Sequence, residues 1–387
     1  MGIYSDYLDK KMNFEQLNIE RKNQLKKIAA LRGGRDIIVY ASDITNRINS
    51  PVSIDYSDIL PFQDQVSTLK GKSIDVILET PGGIAEVVED IVKLLRSKYE
   101  HIGVIIPGTA KSAGTIFSMA ADEILMGTTS SLGPIDAQIF NNNKRYSADA
   151  FLEGLEKIKV EVAASGRLNP AYIPILQNIS PGEIQHCENA QNFSKTLVTN
   201  WLSQYKFKYW VNHSLTGNPV TTEEKEAQAK KIAHQLCKHS DWLTHGRSIQ
   251  LPDLSKMGLK IVDCTQSKDL EEAITRYYTL LKMTLELTNI YKIFETSETQ
   301  IMRFAGGNVQ PPPPNNEVNS VFFDFDCPKC RTKHHLQANL IQGAPLDPNK
   351  VLFPKNNIFV CPVCQNNNNL AQIRLQIEAQ TGKKIID

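Results

Sequence analysis

The chain has 387 residues, which is room for two or three domains. Lys and Arg number 43 against 42 Asp and Glu, so no global field argues for nucleic acid or an anionic membrane surface. Hydrophobic residues make up 41% of the chain, which fits a soluble globular protein, and no apolar run approaches the roughly 20 residues of a membrane span.

The opening MGIYSDYLDKKMNFEQ lacks the apolar core of a signal peptide, and Asp6 stands where a myristoylation signal needs Ser or Thr. Residues 1–34 read as a polar helical extension, with Leu17, Ile19, Leu25, Ile28 and Leu31 at loosely helical spacing and Gly33-Gly34 ending it. Asp36–Ala41 is the first strand of the core. Ile74–Glu79, short and rich in β-branched residues, has the pattern of a buried parallel strand. It stops at Pro81-Gly82-Gly83, and Ile84–Lys98 follows with a helical apolar period. Val104–Ile106 repeats the theme, with Pro107-Gly108 and Lys111-Ser112-Ala113-Gly114-Thr115 leading into a helix through Ala121.

These are two consecutive units of strand, glycine turn and helix. In open parallel sheets ligands bind beyond the carboxyl ends of the strands, where both turns would lie. Glycine lets backbone N–H groups approach a ligand oxygen closely. The N–H groups of Gly83 and Ala113 could converge as an oxyanion hole, favoured by the helix N-termini, with Ser112 as the nucleophile. Against this stands the bland reading of TPGG as punctuation and of Ser112 as a helix N-cap.

TPGG, AKSAGT and LGPID, in this order and between Thr80 and Gln138, resemble the serine dehydrogenase proteinase family. That family belongs to the Clp peptidase/crotonase-fold group, together with the signal peptide peptidase A enzymes. The resemblance covers about residues 35–263 and implies an α/β fold with a Clp/crotonase-like core of parallel strands and helices. It also implies a helix near Ile59–Leu69, Ser112 as nucleophile, and Gly83 and Ala113 as oxyanion donors. Despite the family's name, no GxGxxG fingerprint follows a strand, so nothing points to a dehydrogenase.

After a strand at Glu123–Met126 comes Asp136, 24 positions beyond Ser112. In Clp peptidases the catalytic His falls at almost this distance, so Asp136 could orient a base or could cap the turn beside Gly133-Pro134. Helices are expected over Ser147–Ala164, Ala171–Ile179 and Asn192–Trp210, and from the capping-box pair Thr221 and Glu224 through Cys237. In WLTHGRSIQLPDLSKMGLKIVD, the residues His245, Ile249, Leu254, Gly258, Leu259 and Ile261 match the family, while Ser248 stands where Pro is usual.

The base is the open question, because a serine hydroxyl needs a proton acceptor. His245 with Asp136 comes first, since neutral imidazole suits proton abstraction near pH 7. Lys111 comes second, by analogy with the lysine of signal peptide peptidases. Lys144, Lys157 and Lys159 follow, none of them in a recognisable motif.

Gln266–Thr296 reads as one long helix. Four consecutive prolines among Asn, Gly and Gln then mark residues 301–320 as a stiff linker, so the peptidase domain spans 35–300. Beyond it, Cys327-Pro-Lys-Cys330 and Cys361-Pro-Val-Cys364 supply four thiolates to one tetrahedral ion, the pattern of a structural zinc ribbon over 321–370. Four protein ligands close the coordination sphere, so the Zn2+ would be structural. His334 and His335 read as surface residues, and 371–387 as a C-terminal helix. Four of the seven cysteines in CxxC pairs argue for a reducing compartment, with the cytoplasm as default.

The sequence therefore reads as a serine peptidase that takes a peptide or protein substrate. The resemblance adds self-association as a homo-oligomer, and the ribbon could bind a protein partner. No clear basic stripe for nucleic acid is present. Two rivals remain: a crotonase-type enzyme that uses the same oxyanion hole on an acyl thioester, and a non-catalytic adaptor that works through the ribbon.

Overall fold

The computed structural model describes residues 2–47, 49–141, 144–213, 216–306 and 319–386. Two compact units emerge: residues 25–274 with 292–302, and residues 1–24 with 275–291 and 303–387.

The larger unit is built on a sheet whose strands are β1 (Asp36–Ser42), β2 (Ser73–Glu79), β3 (His101–Ile106), β4 (Glu123–Met126), β5 (Val262–Asp263), β6 (Ile290–Glu295) and β7 (Gln300–Phe304). Their spatial order is β7-β6-β1-β2-β3-β4-β5. β1 to β5 run parallel, and β6 pairs antiparallel with β1, Val39 opposite Glu295. Ile74, Val76 and Leu78 of β2 join Ile102, Val104 and Ile106 of β3 in one core layer. Ile77 and Ile105 face the other way and are buried too. A strand covered on both faces has no polar side to show, which is why the apolar runs are continuous rather than alternating.

The helices α1 (Ile59–Ser67), α2 (Ala85–Lys98) and α3 (Ala113–Met119) make the crossovers between strands. α2 buries Val87, Val88, Ile91, Val92 and Leu95, one stripe of its amphipathic sequence. Three longer helices follow: α4 (Ala148–Ser165), α5 (Pro181–Trp201) and α6 (Thr222–Cys237). The sequence placed a helix over Asn192–Trp210, but α5 begins a full eleven residues earlier. Ser180 and Glu183 close a capping box there and Pro181 takes the first helical position, a start signal the sequence reading passed over. α6 carries the expected box, with Glu224 N donating to Thr221 Oγ1 at 3.2 Å.

The long helix expected over Gln266–Thr296 ends at Leu287. Ile290–Glu295 is strand β6 instead. Ile290, Ile293 and Phe294 fit a helical period as well as an apolar strand run, and pairing with β1 decides the matter.

β6 also delivers a buried charge. Lys292 is fully buried, and its Nζ donates to Asp58 Oδ2 at 2.7 Å, Asp58 Oδ1 at 2.9 Å and Ser53 O at 2.7 Å. The Tyr40 hydroxyl donates to Asp58 at 2.8 Å. Burial, then the neighbouring Asp58 charge, hold the Tyr40 phenol well above its ordinary pKa. This network fixes the 53–58 loop, whose Ile54 forms a parallel bridge with Gly83.

In the smaller unit, Ser320–Asp326 pairs antiparallel with Lys333–Asn339, and Val351–Leu352 adds in parallel. Ile358–Val360 pairs with Asn367–Asn369, and Ala371–Thr381 is the C-terminal helix. Leu336, Phe353, Phe359, Leu370 and Ile377 form its small apolar core. Near the N-terminus, Tyr7, Leu17, Leu280 and Met283 pack together, and the buried Arg21 donates to Thr284 Oγ1 at 2.7 Å. Most of the proline-rich linker, residues 307–318, lies outside the described residues.

Candidate active site

The two glycine turns meet. Beyond the end of β2, Thr80 N donates to Thr109 O at 2.9 Å, and Lys111 N donates back to Thr80 O at 3.0 Å. Residues 80 and 110 thereby form a parallel bridge that lays one turn alongside the other. Gly82, at φ +103°, lies so close that a Cβ there would stand 2.6 Å from Ser112 Cβ and 2.7 Å from Lys111 O. Gly83, at φ +152°, would collide with the backbone of Ile54. Ile54 N donates to Gly82 O at 2.8 Å and Ile84 N to Ile54 O at 2.9 Å, which pins the turn on its other side.

Ser112 sits at the N-cap of α3 with φ 49° and ψ −115°, and its side chain makes no capping hydrogen bond. A non-glycine residue in that region is strained by about 1–3 kcal/mol, and such strain gathers at functional sites. The hydroxyl is therefore not spent on the helix. Gly114 lets the helix start close in, since a Cβ there would meet Thr80 Cγ2 at 2.6 Å.

Ser112, Gly83, Ala113 and His245 line one cleft of about 880 Å³. Its walls mix apolar Ile84, Ile116, Ile135 and Phe193 with polar Glu86, Arg145 and His186. A smaller apolar groove of about 760 Å³ between α4 and α5 lies among Leu152, Leu155, Val162 and Ile184 and contains none of these groups.

Asp136 is fully buried on the far side of His245. His245 Nδ1 lies 2.6 Å from Asp136 Oδ1, His239 Nδ1 lies 2.9 Å from Oδ2, and Gln138 Nε2 donates to Oδ2 at 2.9 Å. Burial alone would raise the carboxyl pKa. The hydrogen bond and charge of His245, with further bonds from Ser147 and His239, overcome it, and the pKa falls below the ordinary aspartate value. An ionised carboxylate only accepts, so both Nδ1 atoms carry hydrogen. Nε2 of His245 is then free to accept a proton. No described hydrogen bond joins it to Ser112 Oγ; the two share the cleft wall.

His239 is a partner the sequence reading missed. It lies on a one-turn helix, His239–Trp242, with no motif around it, and only the fold brings it to Asp136. Lys111 Nζ donates to Leu132 O at 2.9 Å, Arg247 O at 3.2 Å and Ser248 Oγ at 2.9 Å. Burial lowers its pKa to about 8. Lys157 and Lys159 form ion pairs with Glu153 and Glu156 on α4, and Lys144 is exposed.

The four ribbon cysteines gather in the smaller unit. Their Sγ atoms all lie within 4.8 Å of one another, and Cys327 to Cys364 and Cys330 to Cys361 are each 3.6 Å. Zn–S bonds of about 2.3 Å in a tetrahedron put sulfurs roughly 3.8 Å apart, so the donor set fits a metal ion. The two knuckles are the same turn used twice. Arg331 N donates to Cys327 O and Gln365 N to Cys361 O, with φ 58° at Arg331 and 57° at Gln365. His334, expected on the surface, is instead buried, tilted against Phe359 with its Nε2 3.3 Å from Cys361 Sγ. Strand alternation turns it inward while His335 turns out to Asp324.

The architecture is a Clp/crotonase-like α/β core with a small four-cysteine ribbon. Residues 7–191 match the model of the ClpP-like SDH-type serine proteinases. That stretch, which holds Gly83, Ser112, Ala113 and Asp136, is similar to the family; His245 lies beyond it. An uncharacterized protein of Methanocaldococcus jannaschii is 31% identical over 160 residues, which is 40% of this chain and 51% of the relative. Another from the same organism is 38% identical over 88 residues, 23% of this chain and 30% of the relative. The chain thus spans about half or less of the length of the curated relatives it matches. Two solved structures of the 1510-N membrane-bound stomatin-specific protease, one a serine-to-alanine mutant, are each 14% identical, with TM-scores of 0.33 and 0.32. They cover 57% and 56% of this chain and 79% and 71% of their own; the second, a lysine-to-alanine mutant, is in complex with a substrate peptide.

Proposed function

We propose that the protein is a serine peptidase that cleaves peptide bonds with Ser112 as nucleophile, His245 as general base and Asp136 as the carboxylate that orients it. Ser112 Oγ attacks the scissile carbonyl carbon while His245 Nε2 takes its proton. The carbonyl oxygen, now negative, accepts hydrogen bonds from the N–H groups of Gly83 and Ala113. As the C–N bond breaks, His245 returns that proton to the departing amine. Water, activated in the same way, then releases the acyl group from Ser112.

The observation that carries this reading is the left-handed Ser112, held against Gly82 with its hydroxyl unused by the helix. A fluorophosphonate probe tests it, since phosphonylation of Oγ needs the hydroxyl, the base and the oxyanion donors together. Labelling of the wild type that disappears in Ser112→Ala supports the reading. A folded wild type that stays unlabelled overturns it, as does turnover of an acyl thioester that Ser112→Ala leaves intact.

The four free thiols, held as a tetrahedral donor set, support structural Zn2+ and a reducing compartment, taken here as the cytoplasm. No helix among the described residues is long and apolar enough to cross a membrane. The family match supports a homo-oligomer and a peptide or protein substrate, and the ribbon offers a surface for a protein partner. Light scattering of the purified chain checks the first of these.

A further inference from the structure

Lys111 precedes the proposed nucleophile in sequence, yet its ammonium is committed elsewhere. An ammonium has three hydrogens. All three find acceptors, at Leu132 O, Arg247 O and Ser248 Oγ, between 2.9 and 3.2 Å. Those acceptors belong to two different segments. Leu132 precedes the Gly133–Asp136 stretch, and Arg247 and Ser248 follow His245.

The local fit is close. The Lys111 stem passes over Gly133, where a Cβ would stand 2.7 Å from Lys111 Cδ. Thr115 Oγ1 accepts from Gly133 N at 2.9 Å and donates to Ala110 O at 3.0 Å, locking the same stretch to the start of α3. The segment bearing His245 is anchored at its two ends, where Trp242 Nε1 donates to Gln235 O at 2.8 Å and Ile249 is buried in the core. Thr244, Gly246, Arg247 and Ser248 are exposed. Between those ends, its ties among the described residues include the Asp136 hydrogen bond and an antiparallel bridge between Leu132 and Ile249.

We propose that Lys111 is a positioning residue, a cationic strap that ties the Ser112 turn to the segment carrying His245 and so fixes the distance between nucleophile and base. The proposal rests on the serine peptidase reading for its catalytic consequence. It assigns the lysine a role opposite to that of a general base. A base must be neutral to work, whereas a strap works best when charged and fully hydrogen-bonded. Burial brings the Lys111 pKa to about 8. The titratable and charged groups on the segments that bear its acceptors are Asp136, His245, Arg247 and Asp253, and burial is the cause of the shift. Deprotonation removes one of three donors and the charge on the others, so the strap weakens as pH rises through about 8. A lysine base would gain activity over the same interval.

The test uses the full chain, with fluorophosphonate labelling rates as a function of pH and amide hydrogen exchange of residues 243–250. The variants are Lys111→Arg and Lys111→Met. A strap predicts a wild-type rate that declines above about pH 8 and a Lys111→Arg variant within about threefold of wild type, with the decline moved upward. Lys111→Met should lose about 10–100-fold, the cost of an ångström-scale misplacement. With a peptide substrate the loss should fall on kcat and spare KM, and residues 243–250 should exchange faster. If Lys111→Arg is as inactive as Lys111→Met while the wild-type rate climbs through pH 8, the lysine is the base and the strap is refuted. A Lys111→Met variant with wild-type labelling and exchange refutes it as well. If the wild type is not labelled at all, the peptidase reading fails by itself, and the exchange of 243–250 still decides the strap. Should Lys111→Met not fold, Ser248→Ala removes one acceptor and is read by the same exchange.

Discussion

Gly82 and Ser112 touch: a methyl group on the first would stand 2.6 Å from Cβ of the second. The contact makes residue 82 a test of whether the two turns work as one site. Gly82→Ala must bear the left-handed φ of +103°, at about 1–2 kcal/mol, and push the Ser112 turn aside. Gly33 is a fair control, with φ +76° and nothing within 4 Å of a would-be Cβ. Gly33→Ala should lower stability by about 1 kcal/mol and leave probe labelling unchanged. Gly82→Ala should abolish labelling at a melting temperature that the backbone term does not account for alone. Equal labelling in the two variants would separate the turns functionally.

Strain at Ser112 gives a second prediction. Glycine accepts φ 49° and ψ −115° more readily than serine, so Ser112→Gly relieves backbone strain while losing the hydroxyl. After the extra chain entropy of glycine is counted, a net gain of about 1 kcal/mol is expected. Denaturant melts should show a variant that is more stable and inert to the probe. A destabilised Ser112→Gly would mean the serine side chain makes a contact that holds the turn.

The Asp136 carboxylate supplies a pH signature. Its folded pKa is lowered, so at pH near 4 the unfolded chain binds more protons than the native one. The stability it contributes is complete above the unfolded value of about 3.9 and is lost as pH falls through the lower folded value. Asp136→Asn should therefore narrow the gap to wild type in acid melts between about pH 5 and pH 2. At neutral pH the same variant should lower kcat by on the order of 10²–10⁴, because an amide can present N–H to Nδ1 and reverse the tautomer of His245. A variant with normal kcat would remove Asp136 from the mechanism.

Metal removal is the fourth. Purified chain should carry one zinc, and a strong chelator at neutral pH should strip it. Amide protection should then vanish across residues 320–370 and persist in β1 to β4, because so small an apolar core rarely folds without its ion. His334→Ala should weaken metal binding by about tenfold, since its ring sits 3.3 Å from Cys361 Sγ and orients that ligand. Retention of full protection after chelation would make the cysteines a packing cluster instead.

What the sequence made legible was local. Strand, glycine turn and helix recur within about thirty residues of one another, and each announces itself by period and punctuation. The CxxC pairs were equally plain. The early start of α5 and the burial of His334 were local signals passed over, a capping box and strand alternation; the other misses come from long-range pairing. Ile290–Glu295 reads as more helix until β1 stands beside it. His239 has no motif, and it matters because Asp136, 103 positions earlier, lies under it. The side chain of Lys111 points where residues 132, 247 and 248 happen to be, and no spacing rule contains that information.

The buttress of the Gly83 turn comes late in the polypeptide. Lys292 reaches back 239 positions to the Ser53 carbonyl and 234 to Asp58. During synthesis from the amino end, Ser112 emerges from the ribosome well before the lysine that steadies its neighbour. A prematurely terminated product ending short of β6 would thus contain Ser112 yet lack the buttress, so the proposed nucleophile stands on a fully supported turn only once β6 has been made.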